Sequence, residues 1–171
     1  MSRDLILRQR GFTVIEVLLV IVVIGVLLSI AAPSFVTFTS SQKVKTASFD
    51  MYAAMMFARS EAIKRRANVT ITPVSSDFKN GWTITTPDPA IIPINPAITI
   101  TLRNQDALSG VTFTTTSTSV VYRLDGRLTV GTPVTVLIQP EIADASIQNR
   151  CVRVDPTGLP KTTNISSTTC S

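Results

Sequence analysis

The chain has 171 residues, a length that suits one domain with a core of its own. Its formal net charge is +5, which suits a membrane surface or weak nucleic-acid contact without requiring either. It contains no histidine, which excludes histidine-based catalytic triads and metal sites. Carboxylates are not clustered, so we expect no enzyme, metal or cofactor. The two cysteines, Cys151 and Cys170, are too few for a four-thiolate zinc site and indicate a disulfide in an oxidising compartment.

The first clear element is an apolar run after a short basic segment. Residues 1–11 contain three arginines, and Phe12 to Ala32 is then almost wholly apolar. As a helix, this run of 21 residues would be about 31 Å long, enough to cross the roughly 30 Å core of a bilayer. The preceding arginines predict that the N-terminus stays cytoplasmic.

Three interpretations of this run remain open from composition. It could be an uncleaved membrane anchor, a secretory signal cut after Ser29-Ile30-Ala31, or a buried core helix. Glu16 argues against all three, because a carboxylate near the start of a membrane span costs free energy and needs a partner. Glu16 is therefore a candidate functional residue.

The stretch Arg8-Gln9-Arg10-Gly11-Phe12-Thr13-Val14-Ile15-Glu16-Val17-Leu18-Leu19-Val20 resembles the type IV prepilin family. The resemblance implies that a prepilin peptidase cuts after Gly11 and then N-methylates Phe12. It also implies an assembly role for Glu16, whose carboxylate would meet the cationic amine of a neighbouring subunit in a dry filament core.

Pro33 follows the apolar run and is expected to kink the helix or to melt it locally, with the helix resuming by about Ser41. Prepilins commonly have a proline here, so the resemblance extends through Pro33. Apolar residues then recur at helical spacing to about Asn68, and we expect this stripe to pack on the sheet of the same domain: Val44, Ala47, Met51, Met55, Ala58 and Ala62, widened by Tyr52 and Ile63. Phe57 falls on the polar face and is predicted to pack against a neighbouring subunit.

After Asn68 the sequence takes on a β pattern, often with threonine and aliphatic residues in alternation. Asp125-Gly126 predicts a tight turn, and the prolines of Pro87–Pro96 predict an extended loop. The predicted strands are Val69–Val74, Trp82–Thr86, Ala97–Arg103, Val111–Thr116, Val120–Leu124, Thr129–Val130, Val134–Gln139 and Cys151–Asp155.

This layout resembles the pseudopilin and minor-pilin branch called the GspH/FimT family. The resemblance is carried by Ala58–Arg66 leading into Val69-Thr70-Ile71, then by Gly81-Trp82 and Gly126-Arg127. It implies an α+β pilin fold, in which a long N-terminal α-helix with a hydrophobic and an amphipathic half packs on a C-terminal antiparallel β domain. Arg59, Ser60 and Glu61 lie at the helix–strand junction, where packing and salt bridges are expected rather than catalysis.

Four segments are predicted: a leader peptide over 1–11, a transmembrane and filament-core helix over 12–40, an amphipathic helix over 41–67, and a β-rich periplasmic head over 68–171. A disulfide between Cys151 and Cys170 would tie the Thr/Ser-rich tail, Thr162–Thr169, to the last strand.

The resemblance implies a minor pilin that primes assembly of a type IV pilus at or near its tip. Its partners would be other minor and major pilins, the prepilin peptidase and, before assembly, the bacterial inner membrane. The alternatives are a minor pseudopilin of a type II secretion system and a DNA-binding minor pilin for natural transformation. Some FimT-type proteins carry a Gly-Arg-x-Arg motif, but the nearest stretch here is Gly158-Leu159-Pro160-Lys161. DNA would then be contacted only weakly, at its phosphates, by Arg150, Arg153 and Lys161.

Overall fold

The computed structural model describes residues 12–90 and 97–170, apart from the side chains of residues 31 and 33. The predicted leader, with Gly11, therefore lies outside the described residues, as does most of the predicted proline-rich loop. The chain divides between Val36 and Thr37 into two compact units. A single helix, α1 (Val14–Arg65), contributes its first part to one unit and its second part to the other.

The helix α1 is unbroken through position 33, so the prediction that this turn melts is wrong. Proline removes only one backbone donor, and the hydrogen bonds of the adjoining turns are enough to keep the helical path. A bend at Pro33 stays a prediction. Within the described residues, α1 is the one helix long and apolar enough to cross a membrane.

The second part of α1 packs on the sheets of the second unit, Thr37 to Cys170, which is called here the head. The predicted core stripe is confirmed for its six central residues, which are buried: Val44, Ala47, Met51, Met55, Ala58 and Ala62. Tyr52 is partly buried against this core, but the predicted widening at Ile63 is wrong, because Ile63 is 48% exposed. Ala54 and Ser48 are buried as well. Phe57 does not lie on a purely polar face as expected, because its ring is partly buried against the chain's own core and lies 5.9 Å from the Arg103 guanidinium. Its contact with a neighbouring subunit stays a prediction. Helical spacing alone did not show that the sheet reaches round to this flank.

Within the described residues, eight strands form two antiparallel sheets of four strands each. The strands are β1 (Val69–Pro73), β2 (Trp82–Pro87), β3 (Thr99–Gln105), β4 (Val111–Thr115), β5 (Val120–Tyr122), β6 (Val134–Pro140), β7 (Asn149–Val154) and β8 (Pro160–Ile165). One sheet has the order β3-β2-β1-β5, and the other has the order β4-β6-β7-β8. The predicted α+β class, with a long N-terminal helix and antiparallel sheets, is confirmed.

The strand predictions differ from the structure at two places: one predicted strand is absent and one observed strand was not predicted. Thr129–Val130 is not a strand, because the chain leaves the Asp125-Gly126 turn after a single bridge between Tyr122 and Leu128. The tail predicted to be only tied down supplies β8, whose polar sequence has no apolar alternation and which depends on full pairing with β7. The predicted turn itself is confirmed, with Gly126 at a φ of 76°.

The core of the head lies between the buried face of α1 and the inner faces of the two sheets. Its largest members include Trp82 and Tyr122, both almost fully buried. Phe78 and Trp82 pack on Phe113 of β4, with ring centroids 6.1 to 6.4 Å apart. Edge-on and tilted aromatic contacts of this kind stabilise a core beyond the area that they bury.

Candidate assembly site

The first turn of α1 presents the carboxylate that the sequence singles out. Thr13 caps the helix: its carbonyl accepts a hydrogen bond from the Val17 amide at 3.2 Å, and its Oγ1 accepts one from the Glu16 amide at 3.3 Å. Thr13 and Glu16 thus have the spacing of a capping box, in which an acid three residues after the cap favours the positive end of the helix dipole. The sequence reasoning missed this second role of Glu16, although the Thr-x-x-Glu spacing was visible. The Glu16 side chain remains exposed.

The first part of α1 exposes every apolar side chain that the structure describes there. Every described side chain from Phe12 to Val36 is exposed, including Ile15 at 71% and Leu27 at 60%. The Ser29 hydroxyl is satisfied within the helix, because it donates to the Val26 carbonyl at 2.7 Å. A continuous apolar surface of this length is far larger than a soluble monomer normally exposes. It needs lipid or other protein chains to cover it.

The helix–strand junction holds residues that carry the family resemblance, and it is built for packing. Arg59 Nε donates to the Gly126 carbonyl at 3.0 Å, which joins α1 to the turn after β5. A Cβ on Gly126 would lie 2.6 Å from Ile63 Cδ1, and a Cβ on Gly158 would lie 1.9 Å from the Gly126 oxygen. The Gly158 turn thus lies directly against the backbone of the Gly126 turn, which lies against Ile63 of α1. Both glycines also have a positive φ, which disfavours a side chain at either position.

Charges at this junction are consistent with a structural role. Arg65 Nε donates to Glu61 Oε2 at 2.6 Å, and this bond lowers the pKa of the Glu61 carboxyl, with Lys64 Nζ 3.6 Å away adding to the effect. Burial raises the pKa of the Tyr122 hydroxyl, against the opposing charge of Arg59. Among the described residues, Tyr122 Oη has no hydrogen-bond partner. The charged residues at this junction are thus paired within the chain, and Arg59 links the helix to the turn after β5.

The two cysteines form a disulfide that fixes the end of the chain to β7. Cys151 and Cys170 are joined, with their Cα atoms 5.7 Å apart. Cys151 faces Leu137 of β6 in register, on the side of the sheet away from the core, and both are buried. Asn149 Nδ2 also donates to the Ser167 carbonyl at 3.1 Å. The segment after β8 therefore folds back over this outer face, which the sequence did not reveal.

The structure does not bring the three predicted DNA-contacting residues together. Arg153 and Lys161 are paired across β7 and β8, but Arg153 Nε is already 3.2 Å from Asp155 Oδ1. Arg150 lies three positions before Arg153 on the same strand, so it falls on the opposite face. The predicted strand Cys151–Asp155 began one residue after Arg150, and β8, which holds Lys161, was not predicted, so the sequence analysis assigned neither residue to a face of the sheet.

Comparison with known families gives two matches that together cover most of the chain. The family model described as type II transport protein GspH matches residues 47–158. The prokaryotic N-terminal methylation motif matches residues 6–32. The second match includes Gly11, Phe12 and Glu16.

Similar proteins point the same way. Two curated fimbrial proteins of Pseudomonas aeruginosa are each 32% identical over 79 residues, which are 46% of this chain and 51% of the relative. The chain thus spans about half the length of these curated relatives. The crystal structure of the P. aeruginosa type IV minor pilin FimU aligns with a TM-score of 0.59 at 20% identity, over 75% of this chain and 92% of that one. The Vibrio cholerae type 2 secretion minor pseudopilin EpsH aligns with a TM-score of 0.51 at 13% identity, over 72% and 96%. At these identities the two structures show a shared pilin fold.

Proposed function

Because this chain belongs to the GspH family and carries the prokaryotic N-terminal methylation motif, we propose that it is a minor pilin that helps to prime assembly of a type IV pilus. It would then be incorporated at or near the tip of the filament. The matched family and folds are those of structural pilins and pseudopilins rather than of enzymes.

One observation carries the proposal: an unburied apolar helix displays a single carboxylate on its first turn. Glu16 lies four residues after Phe12, and both are exposed. Cleavage after Gly11 would leave Phe12 with a cationic amine one helical turn from Glu16 of its own chain. In a dry bundle, the amine of one subunit and the carboxylate of the next can neutralise each other, whereas an unpaired buried carboxylate costs several kcal/mol. This cost selects one register between subunits.

The route that we propose begins in the bacterial inner membrane. The apolar half of α1 would cross the bilayer once, with the basic leader in the cytoplasm and the head in the periplasm. Removal of the leader arginines by the prepilin peptidase would free the helix to leave the bilayer and enter the filament. The disulfide between Cys151 and Cys170 suits an oxidising compartment such as the periplasm.

A minor pseudopilin of a type II secretion system is the second candidate. It is favoured by the description of the matched family and by the fold shared with EpsH. The N-terminal chemistry is the same in both candidates. DNA uptake is less well supported, because Arg150 is separated from Arg153 and Lys161, and Arg153 has a carboxylate partner.

The test is to purify the full-length protein from its native host and identify both its N-terminus and its partners. We expect mass spectrometry to find a mature chain that begins at N-methylated Phe12, together with co-purifying minor pilins from sheared filaments. An intact N-terminus, or a cut near Ala31, would overturn the proposal. Co-purification with secretion-system subunits instead of pilus subunits would decide for the second candidate.

A further inference from the structure

The loop between β6 and β7, residues 141–148, presents the most exposed large apolar side chain among the described residues. That side chain is Ile142, which is 84% exposed, compared with 81% for Phe12 in the first part of α1. Ala143 and Ala145 of the same loop are exposed as well. One exposed apolar residue is ordinary on a protein surface, so the construction and the position of this loop decide what Ile142 can do.

The β6–β7 loop is held by contacts within its own chain. The Glu141 carboxylate forms an ion pair with Lys79. Asp144 Oδ1 accepts hydrogen bonds from the amide and the hydroxyl of Ser146, at 2.8 and 2.6 Å. Ile142 is therefore displayed between two carboxylates that already have partners.

The same loop contacts the N-terminal end of the head. Thr37 Oγ1 donates to Asp144 Oδ2 at 3.4 Å. Thr37 is the first residue of the head and follows Ala32, the end of the apolar run, by five residues of α1. Five residues of helix rise about 7.5 Å, and even a fully extended chain of five would reach no more than about 18 Å. Chain length alone thus keeps this end of the head, and the loop that it contacts, close to the proposed membrane span.

This distance corresponds to the lipid headgroup layer. The hydrocarbon core of a bilayer is about 30 Å thick, and the headgroups bring the total to about 40 to 45 Å, which leaves roughly 5 to 7 Å of polar interface on each side. An apolar side chain in that layer gains free energy by entering the boundary between headgroups and acyl chains. Glu141 and Lys79 cancel each other, which leaves Asp144 as the net charge of the loop, so attraction to anionic lipid cannot drive such a contact.

We propose that, before assembly, the β6–β7 loop rests on the periplasmic leaflet of the membrane and inserts Ile142 into the lipid interface. This inference rests on the proposed function, which supplies the membrane crossing of α1. The contact gives the head a second attachment to the bilayer beside the helix and turns the β6–β7 side of the head toward the lipid. It is easily released when the helix leaves for the filament, since one side chain buries far less apolar area than the span itself.

Quenching of tryptophan fluorescence by brominated lipid tests this insertion in the full-length chain. The chain carrying Ile142→Trp is reconstituted into vesicles of phosphatidylcholine and phosphatidylglycerol, with the phosphatidylcholine either unmodified or brominated on acyl carbons near the headgroup. The parent chain gives the baseline from Trp82, which is buried in the head's core. We expect brominated lipid to lower the emission of the added tryptophan about twofold, because interfacial apolar residues reach roughly 5 to 10 Å into the boundary with the acyl chains.

The matched control is Leu159→Trp. Leu159 is also apolar and is 51% exposed, but it lies in the turn between β7 and β8, next to Gly158. That turn packs on the Gly126 turn, which contacts Ile63, about 39 Å along α1 from Thr37 at 1.5 Å per residue. Its emission should fall no further than the parent's. Absence of quenching at the loop position, or equal quenching at both positions, would overturn the inference.

The contribution of the Ile142 side chain itself is measured with a reporter beside it. In the Ala143→Trp chain, brominated lipid should again quench the added tryptophan, and the further change Ile142→Ser should remove most of that quenching. Quenching that persists with serine would refute the insertion of Ile142. Raising the salt concentration to about 0.5 M should leave the quenching unchanged, because it screens charges beyond about 4 Å but does not weaken an apolar contact. Loss of quenching in salt would assign the contact to charge and overturn the proposal.

Flotation of the same vesicles separates this inference from the proposed function. A chain that floats with the vesicles and resists alkaline extraction, but shows no quenching at the loop, refutes only the loop contact. A chain that does not float with the vesicles refutes the proposed membrane route as well.

Discussion

The two parts of α1 differ in how their apolar side chains are covered. From Phe12 to Val36, the described apolar side chains are exposed, and the polar exceptions are few. From Val44 to Ala62, most apolar side chains form a buried stripe, with Met51 and Met55 fully buried in the head, while Phe49 and Met56 stay exposed. Among the described residues, the core that α1 shares with the sheets contains residues of its second part and none of its first part.

Because of this difference, the second part of α1 contributes to the folding stability of the head, whereas the first part contributes to membrane insertion and filament assembly. Apolar burial stabilises the head at about 25 cal/mol per Å² of surface removed from water. The first part of α1 gains nothing of this kind until lipid or another chain covers it. Substitutions in the head should therefore change unfolding, and substitutions in the first part should change insertion and assembly while leaving the head's unfolding unaltered.

The largest effect is expected from Glu16, on the assembly side of this comparison. We expect Glu16→Leu to be processed normally at Gly11 but to fall at least about tenfold in filaments, since a lost charge pair in a dry bundle is worth more than 1.4 kcal/mol. Immunoblotting of sheared filaments against whole cells measures this. Thr13→Val is the control, since it removes the helix cap and keeps the carboxylate; if it reduced incorporation as strongly, capping rather than pairing would explain Glu16.

Adjacent methionines give the sharpest test on the stability side. Met55 is fully buried and Met56 is 37% exposed. Met55→Ala should lower the free energy of unfolding of the head by about 2 to 5 kcal/mol, and Met56→Ala by less than about 0.5 kcal/mol. The fluorescence of Trp82, the single tryptophan, reports denaturant unfolding of the full-length chain in detergent. Leu19→Ala, in the exposed part of α1, should leave that transition where it is, and a shift there would contradict the separation of the two parts.

The disulfide should stabilise the head without affecting membrane insertion. Replacing both Cys151 and Cys170 by alanine opens a loop of 19-residue separation and should cost about 3 kcal/mol of unfolding free energy. Reducing agent added to the unmodified chain should give the same loss in the same fluorescence measurement. A double variant as stable as the parent would mean that β8 and the following segment hold themselves in place.

The smallest expected effect is at Glu61, and it depends on pH. Because Arg65 lowers the pKa of the Glu61 carboxyl, the ion pair stabilises the folded head above the ordinary glutamate value of about 4.3 and is lost as the pH falls through the lower folded pKa. Glu61→Gln should therefore cost about 0.5 kcal/mol at pH 7 and nothing near pH 3. Denaturant unfolding of both chains at the two pH values measures this difference. A cost that is the same at both would assign the effect to packing rather than charge.

Local patterns were enough for the parts of the molecule that depend on neighbours along the chain. The apolar run beside Glu16 predicted the exposed part of α1, and steps of three and four residues predicted the buried stripe from Val44 to Ala62. Seven of the eight observed strands were anticipated near their positions, and so was the Asp125-Gly126 turn. The spacing of apolar residues within one segment is enough to distinguish a helix from a strand.

Contacts between distant segments were decided only by the tertiary structure. Phe57 looked exposed by its helical position, but it packs beside Arg103 of β3. Arg59 and Gly126, which are 67 residues apart, meet at 3.0 Å.

By itself, then, the sequence determined the long helix, its division into an exposed and a buried part, and the carboxylate at its start, because each depends on spacing within one segment. Tertiary structure decided the eighth strand, the covering of β7 by the segment after β8, the separation of Arg150 from Lys161, and which residues of the second part of α1 stay exposed. These features depend on which strand pairs with which, and pairing across the chain is not encoded in any local period.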